Sequence, residues 1–130
     1  MKSKEKTIKL KEKTMKSKDK ALFIANIALE KKGEDIVMLN MTKISSICDY
    51  FVILSAPSNT RMNAISEAIG KELSKIGEKV RHREGIRDDK WVLVDATDVI
   101  VHIFHTETRK FYDLERLWNN VPQKNFGSGV

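Results

Sequence analysis

WVLVDATDVIVHIFHTETRKFYDLERLW, residues 91–118, is the stretch that decides the fold. It begins with two apolar runs on either side of Asp95-Ala96-Thr97-Asp98, a spacing that predicts a β-hairpin with a two-residue loop. Pairing of Asp95 with Asp98 sets a register that puts Trp91 opposite His102. A last helix is predicted to follow directly, starting near Thr106, because four later apolar residues recur at helical spacing: Phe111, Leu114, Leu117 and Trp118.

The predicted hairpin has two unlike faces, because successive side chains of a strand alternate sides. One face is branched and aliphatic, and it suits packing under helices: Val92, Val94, Val99, Val101 and Ile103. The other, called the aromatic face below, consists of Trp91, Leu93, Ile100, His102 and Phe104. The aromatic face has two interpretations. It is either covered by another helix, since Trp is usually well buried, or it binds a protein partner, since interfaces are enriched in aromatic residues.

The rest of the chain divides at its turn and capping signals. A helix is predicted over residues 19–32, with Asp19 as its cap, followed by strands over 35–41 and 50–56. The second strand is apolar on both faces and should be central. Ser58 should cap a helix with an apolar stripe at helical spacing: Met62, Ile65, Ile69, Leu73 and Ile76. With an exposed edge strand over residues 78–84, the element order predicts an α/β domain, a mixed β-sheet with helices packed on it.

Both ends of the chain are predicted to lie outside this domain, which spans residues 19–118. Residues 1–18 read as a lysine-rich disordered tail, and residues 119–130 have the composition of a loose C-terminal tail. The net charge of +6 arises in residues 1–20, which hold nine lysines and three acidic residues, while the remaining 110 residues carry fifteen of each sign. A neutral domain argues against binding to nucleic acid through bulk charge, so the tail is either a solubilising extension or a phosphate-contacting arm.

Several features of the sequence predict a cytoplasmic location. No run of about 18 apolar residues could span a membrane, and no apolar signal core lies near Met1. Cys48 is the one cysteine, which excludes an internal disulfide, and it is expected to be a small buried residue. A soluble, cytoplasmic protein is therefore expected.

Three groups of residues suggest site chemistry, and each has a simpler structural interpretation. A metal site would need the three histidines, His82, His102 and His105, to come together, but His102 and His105 point to opposite faces of one strand. Asp95 and Asp98 flank a turn, where Asp is favoured for backbone reasons. The segment Ser55-Ala56-Pro57-Ser58 opens a helix and lacks the glycines and lysine of a phosphate loop, so capping is its expected role. No metal, no cofactor and no catalytic residue are predicted.

The order of motifs along the chain resembles one family. The residues that carry the resemblance are Asp49-Tyr50-Phe51-Val52-Ile53, Ser58, Ala64-Ile65, Glu84-Gly85, Trp91-Val92-Leu93, Asp95, Asp98, Val101-His102, Phe104, Arg109, Phe111-Tyr112, Leu114-Glu115 and Leu117-Trp118. In this order they resemble the ribosomal silencing factor family (RsfS, Iojap-like), over about residues 22–118. Ala56 and Arg61 depart from the family pattern, which has Gly and Gln more often at these positions.

The resemblance implies a nucleotidyltransferase-like fold without catalysis and a named partner, ribosomal protein fourteen of the large subunit. A factor bound there would sterically block subunit association and repress translation under nutrient limitation. The chain would act on the ribosome as a monomer. Its oligomeric state when free is not determined by the sequence, and a homodimer is one of the alternatives. The expected contact residues are the aromatic face with Arg109 and Tyr112, and the tail would add a weak contact to ribosomal RNA. The alternatives are a nucleic-acid-binding module that uses the basic tail and a nucleotide-handling enzyme.

Overall fold

A six-stranded mixed sheet organises the protein, for which the computed structural model describes residues 15–85, 90–112 and 119–129. In chain order the elements are α1 (Ser17–Glu30), β1 (Glu34–Asn40), β2 (Tyr50–Ala56), α2 (Asn59–Lys75), β3 (His82–Glu84), β4 (Trp91–Asp95), β5 (Val99–His105), α3 (Thr106–Tyr112) and β6 (Gln123–Gly127). The strand order is β3-β4-β5-β2-β1-β6. Strands β2 and β5 run parallel and the other neighbours antiparallel, so the predicted α/β fold with a mixed sheet is confirmed.

Strand β2 is central, as its apolar sequence predicts. It lies between β5 and β1, and six of its seven residues are buried. The chain then turns at Ser58, whose Oγ accepts a hydrogen bond from Arg61 N at 3.2 Å and so caps α2. The predicted stripe of α2 is fully buried except for Ile76, which follows the helix and is 38% exposed. At the edge of the sheet, β3 has three exposed residues, as predicted for an edge strand, but it covers only residues 82–84 of the predicted run 78–84.

The predicted hairpin register is wrong by two residues. Trp91 pairs with Phe104, and Leu93 pairs with His102, because the loop lies one position further along the chain than predicted. The backbone N–H of Ala96 donates to the Val99 carbonyl, and Thr97 has a φ of 78° in the loop. Asp95 Oδ1 accepts from Thr97 N at 2.8 Å, which stabilises this turn. A shift of two residues keeps every side chain on its predicted face.

Three predictions at the ends of the domain need correction. Helix α1 begins at Ser17, so the last two residues of the predicted tail are helical; residues 1–14 lie outside the described part. Asp19 is in the first turn and is not the cap, which is Lys16 and has no side-chain hydrogen bond. Residues 119–130 are not a loose tail throughout, since β6 pairs with β1. Backbone pairing with a partner far along the chain leaves little trace in a short polar sequence.

Two apolar cores cover the two faces of the sheet. The aliphatic face of the hairpin packs under α1 and α2, and all five of its residues are fully buried there: Val92, Val94, Val99, Val101 and Ile103. On the other face a smaller cluster joins Phe104 to buried residues of β1 and β2, among them Leu39 and Ile53. The aromatic face is therefore only partly occupied by the protein's own core.

Candidate functional site

Trp91 is a large aromatic side chain held at the surface of the aromatic face. It is 41% exposed, and it is the one exposed Phe, Tyr or Trp in the described ranges. Its ring packs on its cross-strand neighbour Phe104, with centroids 4.7 Å apart, and its Nε1 donates to His102 Nδ1 at 3.2 Å. A ring fixed by both packing and a hydrogen bond loses little rotamer freedom when a partner covers it.

His102 forms the floor beneath Trp91. It is buried, and the ring of Phe51 meets it edge-on with centroids 4.7 Å apart. Burial lowers the pKa of His102 to about 4, so the imidazole is neutral near pH 7. Because an indole N–H can only donate, His102 Nδ1 must accept and the ring proton must lie on Nε2. That Nε2 has no hydrogen-bond partner within the described part of the chain.

Half-buried apolar residues continue the surface beside Trp91. Leu93 and Ile100 are partly exposed, and so is Phe51, which lies opposite Ile100 in the parallel pair of β2 and β5. We call Trp91, Leu93, Ile100 and Phe51 the indole patch. Phe51 was not predicted as a site residue. Its place in DYFVI, next to β5, follows only from the pairing of strands far apart in sequence.

A cavity of about 410 Å³ opens next to Trp91. Glu84, Gly85, Trp91 and Leu93 line it. Gly85 has a φ of +75°, and a Cβ at this position would lie 2.1 Å from the Trp91 carbonyl oxygen. Only glycine allows the chain to pass this close to the start of β4. The wall of the cavity therefore depends on the pair Glu84-Gly85 that the sequence pattern singled out.

The other predicted contact residues occupy different positions. Phe104 is fully buried, so it supports Trp91 from below and has no surface of its own to offer. Arg109 is 8% exposed, and its Nη1 donates to Ser55 Oγ and to the Glu34 carbonyl, each at 3.3 Å. These bonds attach α3 to the ends of β1 and β2. The side chain of Tyr112 lies outside the described residues.

The residues considered for other chemistry have structural partners. His105 Nδ1 accepts from Glu107 N at 3.3 Å, and His82 pairs with Glu84 at 2.7 Å. In the parts of the chain that the structure describes, no three His, Cys, Asp or Glu residues gather as metal ligands. Cys48 is buried, and burial raises the pKa of its thiol, which disfavours the reactive thiolate.

Asp98 belongs to an ion-pair cluster that the sequence did not indicate. Lys20 Nζ on α1 lies 2.7 Å from both Asp98 Oδ1 and Glu78 Oε1, and it donates to the Ala96 carbonyl at 3.0 Å. Burial alone would lower the pKa of Lys20, but the two carboxylates outweigh burial and raise it. Lys20 therefore ties α1 to the hairpin turn and to the segment that follows α2.

Comparisons with known proteins agree on one family. A family model described as "Ribosomal silencing factor during starvation" matches residues 14–128. The chain is 39% identical to the ribosomal silencing factor RsfS of Bacillus subtilis over 101 residues, which are 78% of this chain and 86% of the relative. It is 37% identical to the chloroplastic Iojap protein of Zea mays over 104 residues, covering 78% of this chain and 44% of that protein.

Solved structures of two bacterial proteins share the fold. A crystal structure of a Chromobacterium violaceum protein superposes with a TM-score of 0.77 at 30% identity, covering 81% of this chain and 88% of the other. A crystal structure from Bacillus halodurans has a TM-score of 0.69 at 38% identity and covers 79% and 94% of the two chains. The sheet and its helices are thus common to these proteins.

Proposed function

The chain belongs to the ribosomal silencing factor family, and we propose that it represses translation by binding ribosomal protein fourteen of the large subunit through the indole patch. A folded domain seated at the face where the small subunit docks would block subunit association sterically. The action needs no catalysis, no cofactor and no metal. It would take place in the cytoplasm, and no helix in the described ranges is long and apolar enough to cross a membrane.

The exposed, fixed position of Trp91 is the observation that carries this proposal. Interfaces concentrate their binding energy in a few aromatic or arginine residues beside well-packed pockets. Trp91 has an apolar support below it and a cavity beside it that could accept a partner side chain. The half-buried Leu93, Ile100 and Phe51 extend the apolar surface around this anchor. The patch therefore has the composition of an interface centre.

Burial separates the predicted contact residues into those that would touch the partner and those that would support them. Trp91, Leu93, Ile100 and Phe51 would contact the partner directly. His102 and Phe104 would hold the indole in place, and Arg109 would position α3. The lysine-rich segment at the start of the chain would add a weak contact to ribosomal RNA that does not determine the docking site.

Sedimentation of purified ribosomal subunits tests the proposal. At fixed magnesium, the protein should sediment with large subunits and lower the joined fraction, and Trp91→Ala should shift both effects to a roughly thirtyfold higher protein concentration. Ile47→Ala is the matched control, because Ile47 is also an exposed apolar residue, at 80%, and lies on the loop between β1 and β2. Unchanged subunit joining at saturating protein would refute the proposal.

A further inference from the structure

A basic groove lies between α2 and the segment that leads from it into β3. Its volume is about 880 Å³, and its cationic lining residues are Lys71, Lys79, Arg81 and Arg83. All four side chains are exposed, and none makes an ion pair with another residue in the described part of the chain. These four residues define the basic groove. The neutral total charge of the domain conceals this local excess.

The carboxylates near the groove cancel only part of its charge. Glu67 and Glu78 also line it, so four cationic side chains face two carboxylates, and Glu78 lies 2.7 Å from the buried Lys20, which it shares with Asp98. Lys75, in contrast, pairs with Glu72 on the same helix at 3.0 Å. The groove therefore keeps an excess of positive charge, which favours an anionic ligand.

The lining of the groove favours a phosphate backbone as its ligand. Pockets for small organic ligands are mostly apolar, whereas Val80 is the one apolar side chain among the described residues that line this groove. Arginine pairs with phosphate through two parallel hydrogen bonds, and clusters of Arg and Lys contact the sugar-phosphate chain of nucleic acids. We propose that the basic groove binds the phosphate backbone of RNA. Only the choice of this RNA rests on the proposed function, under which the ligand is a helix of large-subunit RNA.

The groove and the indole patch lie on opposite faces of one sheet edge. Arg83 pairs with Val94, whose side chain is buried under the helices, whereas Glu84 pairs with Leu93 of the indole patch. The two surfaces therefore do not share side chains, and a protein bound at Trp91 would contact the face opposite the groove. The domain can hold a protein and an RNA at once, with β3 between them.

Fluorescence anisotropy with a labelled A-form RNA hairpin, using the full chain, tests this inference. Arg81→Gln/Arg83→Gln should weaken binding severalfold and reduce the slope of log affinity against log salt by about 0.7 to 0.9 for each phosphate that the variant no longer neutralises. The control Lys31→Gln/Lys43→Gln removes the same charge from exposed sites elsewhere and should leave the slope unchanged. Thermal melting verifies that both variants fold.

Three outcomes would overturn the inference. They are equal losses of affinity in the two double variants, no RNA binding by the unaltered chain, or binding of an acidic peptide in place of RNA. Trp91→Ala separates this site from the protein-binding site. It should retain the RNA affinity of the unaltered chain even if the partner assigned to the indole patch is wrong.

Discussion

Trp91 Nε1 donates a hydrogen bond to Nδ1 of His102 at 3.2 Å, and the two residues lie on adjacent strands in a diagonal relationship across β4 and β5. The bond satisfies the polar atom of an indole that is otherwise in contact with Phe104. It also requires a neutral imidazole, because a protonated His102 would present an N–H to the indole N–H. The orientation of the exposed Trp91 indole thus depends on the protonation of a buried residue.

Truncation of Trp91 and of Phe104 should have opposite consequences. Trp91→Ala should weaken binding to the large subunit by about 2 kcal/mol or more, roughly thirtyfold, with a small loss of stability. Phe104→Ala removes a fully buried ring and should cost about 3 to 5 kcal/mol of unfolding free energy. Urea unfolding and subunit binding measure both. A large stability loss in Trp91→Ala with unchanged affinity would reassign Trp91 to the core.

The protein should lose stability in acid partly through His102. Its pKa is about 4 in the folded state against 6.5 when solvated, so the unfolded chain binds the proton more tightly. The contribution of the neutral His102 to the unfolding free energy is up to about 3 kcal/mol. It is present above pH 6.5 and is lost as the pH falls to about 4. His102→Gln keeps an acceptor for Trp91 without this titration, so it should flatten the pH dependence of unfolding. His82→Gln, at an exposed histidine, is the control; the same flattening there would contradict the assignment.

Gly85 should tolerate a methyl group less well than Gly77. Both have positive φ, which costs about 1 to 2 kcal/mol with any L side chain. At Gly77 nothing lies within 4 Å of an added Cβ, whereas at Gly85 the Cβ would meet the Trp91 carbonyl. Gly85→Ala should therefore lower the unfolding free energy by more than Gly77→Ala and also weaken subunit binding. Equal losses would mean that the segment adjusts without moving β4.

Lys20 should matter more to stability than an exposed lysine in an ion pair. Lys20→Met leaves two carboxylates without their cation, and we expect the unfolding free energy to fall by about 3 kcal/mol. This value is the lower end for a buried pair, because about a third of the Asp98 side chain is exposed. Lys75→Met removes a surface pair with Glu72 and should cost about 0.5 kcal/mol or less. Chemical denaturation compares them. Similar small losses would show that Asp98 and Glu78 recover their hydration.

Side-chain periodicity was sufficient to assign faces. The alternation in residues 91–105 separates the aliphatic from the aromatic face, and that separation is correct although the predicted register is wrong. The reason is geometric, because a shift by two residues returns each side chain to the same side. Helical spacing likewise identified α2, and Ser58 identified its cap. These signals are local, so a single sequence contains them.

Contacts between distant segments were decided only by the tertiary structure. The pairing of β6 with β1, the burial of Arg109 against Ser55 and the attachment of Lys20 to Asp98 join residues with few local signals of partnership. The basic groove is another example, since α2 and the segment before β3 bring its cations together. The sequence by itself determined the family, the elements other than β6, and their apolar faces. Three-dimensional packing decided which polar residues are buried and paired and which stay at the surface, because the whole fold sets the burial and the charged neighbours of each residue.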